Sequence, residues 1–132
     1  SEMCIRDSVN MFGLPCPVTR FPGTMVLKKN AYIGVGSCIR MPNGHFKATM
    51  DPLPKPASEY TSEEEVIQDI MTMTEKLIRM APEQYLWLYK RFQYIPPDAS
   101  AELRAKYPSY AKVVKSSFFS KMRGGRGKPE KD

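Results

Sequence analysis

The side chains able to do chemistry are few. The chain has one histidine, His45, and three cysteines, Cys4, Cys16 and Cys38. Histidine is the usual general base near neutral pH, and His45 has Asp51 downstream on the same stretch. It also follows Pro42-Asn43-Gly44 directly, so an exposed imidazole flanking a turn is the plainer reading. The cysteines form no Cys-x-x-Cys pair and have no zinc spacing, and a lone histidine excludes a His-based metal cluster. Without a cleavable signal sequence, an odd number of cysteines favours a reducing compartment and unpaired thiols. Gly34-Val35-Gly36 has the start of a dinucleotide loop, but Ile39 stands where the third glycine belongs. Small residues where a helix packs closely on a sheet are the plainer reading of that pair. No cofactor is expected.

The chain has 132 residues, 42% of them hydrophobic and 26% charged, which suits a globular protein with one core. No window approaches the roughly 18 apolar residues that span a bilayer. The net charge of +6 is unevenly placed. Residues 1–100 hold 11 basic and 11 acidic residues, and residues 101–132 hold 9 and 3. The basic character therefore belongs to a tail and not to the domain.

Residues 1–9 show neither helical nor strand period and read as a non-native leader, with a native N-terminal arm as the alternative. Residues 10–24 carry three prolines and two glycines and read as an irregular loop. Pro22 opens a short helix through Lys29, and Asn30 is a left-handed stop. Residues 32–40 read as a buried strand, and Pro42-Asn43-Gly44 turns the chain into a second strand over 45–50, with Phe46, Ala48 and Met50 on one face.

Thr61-Ser62-Glu63-Glu64-Glu65 is a capping-box start for a helix over about 63–80. Its apolar stripe is Ile67, Ile70, Met71, Thr74, Leu77 and Ile78. A second helix is expected from Glu83 to Phe92 and a third from Ala101 to Val114, with Arg123–Pro129 disordered. Two strands make a poor sheet alone, so further strands are expected before residue 10, as in a C-terminal piece of a larger domain.

The densest motif is Pro82-Glu83-Gln84-Tyr85-Leu86-Trp87-Leu88-Tyr89-Lys90-Arg91-Phe92. It resembles the C-terminal signature of the lipid A biosynthesis (lauroyl/myristoyl) acyltransferase family. Phe12-Gly13-x-Pro15 followed by Thr19 and Gly23 is similar to an upstream segment of that family. Arg40-Met41-Pro42-Asn43-Gly44 is similar to its hairpin, and Asp51-Pro52-Leu53 to its Pro-Pro-Leu. The resemblance covers residues 10–97, in order and spacing.

It implies an α/β fold: the C-terminal part of a glycerolipid-acyltransferase-like mixed sheet flanked by helices, with a β-hairpin and two or three C-terminal helices. Residues 10–97 would be that part of the domain and residues 98–132 a basic helical or disordered extension. The implied activity moves a fatty acyl chain from acyl carrier protein to a hydroxyl of a lipid A precursor, at the cytoplasmic face of the bacterial inner membrane. The family's catalytic pair is a His with an acid five residues later. Five residues after His45 stands Met50, so no catalytic residue is assigned and the chain alone is expected to be inactive. By the resemblance, Phe12, Gly13 and Thr19 approach the acyl or acceptor pocket, and Lys90 and Arg91 face phosphates of lipid or carrier.

The Arg123-Gly124-Gly125-Arg126-Gly127-Lys128 run is also found in RNA-binding tails, so a small basic nucleic-acid-binding module is the alternative. A partner with anionic headgroups suits the tail better: it is basic and moderately amphipathic, and nothing in residues 10–97 offers a stacking strip for bases.

Overall fold

The computed structural model describes residues 5–113. Its elements run β1 (Ile5–Met11), β2 (Leu14–Thr19), α1 (Phe21–Lys29), β3 (Gly34–Arg40), β4 (Phe46–Pro52), α2 (Glu63–Met80), β5 (Tyr94–Ile95), α3 (Ala101–Ala105) and β6 (Lys112–Val113). The fold is mixed α/β. The strands pair as three two-stranded sheets, the first two antiparallel and the last parallel.

Residues 10–24 are not an irregular loop: most of them belong to the β1–β2 hairpin and α1. The prolines misled for a physical reason. Asn10 and Ser8 pair with Pro15 and Pro17. The Asn10 N–H and C=O point away from β2, to the Gln68 side chain at 3.0 and 2.9 Å. Asn10–Pro15 and, by the two-residue period, Ser8–Pro17 are therefore the non-hydrogen-bonded pairs of the ladder. Each proline's missing N–H falls on the outer edge of β2, where a strand tolerates it. The Pro15 carbonyl, facing outward, accepts the Tyr107 hydroxyl at 2.7 Å. At the hairpin tip Phe12 and Gly13 both have positive φ, 52° and 75°.

Helix α2 starts as its sequence predicts. The Glu65 N–H donates to Ser62 Oγ at 3.2 Å, and the Glu65 carboxylate accepts from the N–H and hydroxyl of Thr61. Val66, Ile67, Met71 and Ile78 form its buried stripe. Val9, Met11, Cys16 and Val18 of the first hairpin pack with Ile67, Met71 and Ile78 to make the main core. A smaller core joins Val26 of α1, Tyr60 and Val66. Asn30 ends α1 at φ 52°.

Gly23 sets the approach of α1 to α2. A Cβ there would lie 2.8 Å from the backbone of Glu63, and the helices close on that spot through Thr24 Oγ1–Glu63 Oε1 at 2.8 Å and Arg20–Glu63 at 2.7 Å.

The β3–β4 hairpin forms as expected, but β3 is only half-buried and Phe46, Ala48 and Met50 all face outward. It packs one face on α2, so the alternation of an antiparallel hairpin replaces burial on both faces. Gly36 is confined by strand β4 rather than by a helix, since a Cβ would meet the Thr49 carbonyl at 2.6 Å.

The expected helix over 83–92 is absent. Pro82–Gln84 makes a single 3-10 turn, and tight turns follow through Arg91. Competing partners hold this backbone: the Trp87 indole N–H donates to the Pro82 carbonyl, and Gln84 is engaged by Arg40. The third helix stops at Ala105, short of Val114, because Pro108 lies where another turn would need its N–H. The expected disorder over 123–129 lies outside the described residues.

Candidate functional site

The sequence-predicted residues fall into three places. Phe12 and Gly13 form the tip of the first hairpin, over the C-terminal half of α2. The Phe12 N–H donates to Glu75 Oε2 at 3.0 Å, and the Arg79 guanidinium lies over the Phe12 ring at 4.9 Å. Arg79 also bonds Glu75 at 2.9 Å. These contacts hold the Glu75 carboxyl below its usual range, the Arg79 hydrogen bond first and the Phe12 N–H second. Gly13 is exposed, with open space where a Cβ would sit.

Thr19 lies at the opposite end of β2, about 20 Å away by strand rise. Its hydroxyl accepts from the Phe21 N–H at 3.4 Å, at the start of α1. The hairpin therefore separates Thr19 from Phe12 and Gly13 instead of gathering them.

Arg91 and Lys90 form the third place. Arg91 Nε donates to the Tyr85 hydroxyl at 2.9 Å, one terminal nitrogen faces Met71 Sδ at 3.9 Å, and the Tyr89 ring lies 5.6 Å away. Its carbonyl accepts the Cys16 thiol at 3.5 Å. Burial pushes the Cys16 thiol up, opposed by the Arg91 charge. Lys90 is exposed, with its ammonium 5.9 Å from the Tyr110 ring centroid. Tyr107, buried against β2, is pushed up to about 12, chiefly by desolvation. The positions packed on the main core, Phe12, Tyr85 and Phe92, belong to two of the sequence motifs and meet there.

Sequence reasoning missed a joint between two further motifs. The Arg40 N–H donates to Gln84 Oε1 at 2.8 Å, and Gln84 Nε2 donates back to the Arg40 carbonyl at 2.9 Å. Gln84 thus acts as a one-residue strand on the edge of β3, as Gln68 does on β1. Both motifs were visible in the sequence, but their pairing has no local signal, because it joins residues 44 apart in the chain.

Beside this joint a cleft of about 220 Å³ opens between β3 and α2, lined by Val35, Ile39, Leu77, Ile78 and Tyr85 among others. A second, of about 410 Å³, lies on the other side of Val35 and Leu77, with Asp69 and Lys76 at its wall. His45 is exposed in the β3–β4 turn, its N–H donating to Asn43 Oδ1 at 3.0 Å. Among the described residues no group of His, Cys, Asp and Glu could hold a metal ion. Among them, too, no helix is long and apolar enough to cross a membrane.

Residues of the Phe12 and Pro82–Phe92 motifs thus pack on one hairpin–helix core. The family model for bacterial lipid A biosynthesis acyltransferases matches residues 5–94, and the chain belongs to that family. The match runs from the start of β1 to the first residue of β5 and includes residues 5–9, which form most of β1. No individual curated protein matches the chain.

Proposed function

We propose that this chain contributes the substrate-positioning part of an enzyme that moves a fatty acyl chain from acyl carrier protein to a hydroxyl of a lipid A precursor. The reaction takes place at the cytoplasmic face of the bacterial inner membrane. Membership of the lipid A acyltransferase family, over residues 5–94, carries the reading. In such a transfer the acceptor oxygen loses its proton to a base as it attacks the thioester carbonyl. The carrier's thiolate leaves and takes up a proton. The base needs an acid to orient it, and His45, with Met50 five residues on and an exposed place in a turn, has none. The chain alone therefore does not turn over.

Its own side chains bind. Lys90, exposed, and Arg91, whose fork keeps donors beyond those given to Tyr85 and Met71, meet phosphate groups of the lipid precursor. Phe12 and Gly13 contact the substrate from the hairpin tip, where Gly13 leaves room for close approach. Thr19 acts from the other end of the hairpin.

A chimera tests this: residues 5–94 replace the matching segment of a lipid A acyltransferase in cells lacking that enzyme, and lipid A is weighed by mass spectrometry. Restored addition of one acyl chain is expected. A folded, membrane-bound chimera that leaves lipid A short of that chain would contradict the reading. In the active chimera, Lys90→Ala should raise KM for the lipid precursor more than it lowers kcat.

A further inference from the structure

Residues 86–89 present an unusual surface. Leu86, Trp87, Leu88 and Tyr89 are 65%, 56%, 88% and 59% exposed, four large apolar residues in succession on one projecting turn. Exposed apolar residues scattered singly need no explanation, but a contiguous patch marks an interaction site. Three observations say what covers it. First, the segment satisfies much of its own backbone: the N–H groups of Tyr85, Trp87, Tyr89 and Arg91 donate to the carbonyls of Pro82, Tyr85, Leu86 and Tyr89. Leaving water therefore costs this backbone less than it would an open loop. Second, the composition is that of a membrane interface. Trp and Tyr favour the headgroup level, with an apolar body inward and a polar tip toward water, and Leu favours the acyl boundary. Third, the border is cationic. Lys90 and Arg91 follow the patch, and Lys90 leans on Tyr110 of the segment that carries Lys106 and Lys112. Glu83 is the one exposed acid within Pro82–Arg91.

We infer that the Leu86–Tyr89 turn is a membrane-docking element, which inserts its apolar side chains into the interfacial layer of an anionic bilayer while Lys90 and its neighbours meet the headgroups. The inference extends the membrane placement proposed above, yet its test does not depend on acyl transfer. The turn would fix the height and tilt of the β1–β2/α2 core over the lipid surface, so that Lys90 and Arg91 meet phosphates at headgroup level.

Trp87 is the only tryptophan in the chain, so its fluorescence reports this turn and no other. The full chain is titrated with vesicles of phosphatidylcholine and phosphatidylglycerol in equal parts. A blue shift is expected, with stronger quenching by lipids labelled near the headgroup than by those labelled at the chain end. Leu88→Ser, at the most exposed position, should weaken vesicle partitioning by about tenfold with an unchanged melting temperature. Co-sedimentation with vesicles but no change in Trp87 emission would assign binding to the basic tail and overturn the inference. A blue shift that appears without vesicles and grows with protein concentration would mean a second copy covers the turn, which also overturns it. Failure of the chimera to acylate lipid A, with the Trp87 shift intact, would remove the proposed reaction and leave the docking element standing.

Discussion

The two antiparallel hairpins are close in size but differ in what they bury. β1–β2 places Val9, Met11, Cys16 and Val18 in the core against α2, with Met11 and Cys16 fully enclosed. β3–β4 contributes no buried residue, and leaves Phe46 at 68% and Met50 at 75% exposure. Each is tied by one glutamine side chain, Gln68 to Asn10 and Gln84 to Arg40. The first hairpin holds the fold. The second, joined through Gln84 to the apolar turn at 86–89, offers surface. The first hairpin thus packs along α2 from Ile67 to Ile78, while the second leaves Phe46 and Met50 to solvent.

That division can be broken most sharply in the core. Met11→Ala should cost about 2–5 kcal/mol in thermal or urea unfolding, because the site is closed and cannot collapse. Met50→Ser should change stability by no more than about 0.5 kcal/mol. Equal losses at the two positions would end the contrast. Gly23→Ala should cost roughly 1–3 kcal/mol, since its Cβ would press on the Glu63 backbone and α1 must move away from α2.

The glutamine ties sharpen the comparison at smaller magnitude. Gln68→Ala and Gln84→Ala should each cost about 0.5–1.5 kcal/mol. Hydrogen exchange should separate them: Gln68→Ala loosens the Asn10 amide, and Gln84→Ala the Arg40 amide. The smallest effect belongs to Glu75→Gln, under about 1 kcal/mol at neutral pH for this partly exposed cluster. Glu75 has a lowered folded pKa, so its contribution is full above the unfolded carboxyl's range and fades as pH falls through the folded value. Melting curves of Glu75→Gln and the parent chain should therefore converge in acid.

Helix α2 was legible in its bounds and in three residues of its buried stripe, because its capping box, acidic start and apolar stripe are local; Val66, buried in the smaller core, was not on the expected stripe. The Asn30 stop and the Pro42-Asn43-Gly44 turn were legible for the same reason. The β1–β2 hairpin was not. Pro15 and Pro17 read as loop residues unless the register that turns them outward is known, and register is a property of the pair. The 82–91 segment failed in the opposite direction. Its proline start, early Glu83 and Lys90-Arg91 end fit a helix, but partners from outside the window, Arg40 for Gln84 and Met71 for Arg91, hold it in turns. The candidate site was legible as motifs and not as a place: nothing local shows that Thr19 stands a hairpin's length from Gly13, or that Arg91 seats its carbonyl on Cys16.

The most direct test of the contrast between the hairpins is residue-resolved native-state hydrogen exchange on the full chain. Amides of β1 and β2, such as Val9 and Cys16, should exchange only through global unfolding. Amides of β3 and β4, such as Ser37 and Thr49, should exchange by a separate local opening at least about tenfold faster. If β3–β4 proves as protected as β1–β2, the division between a holding hairpin and a surface hairpin is wrong.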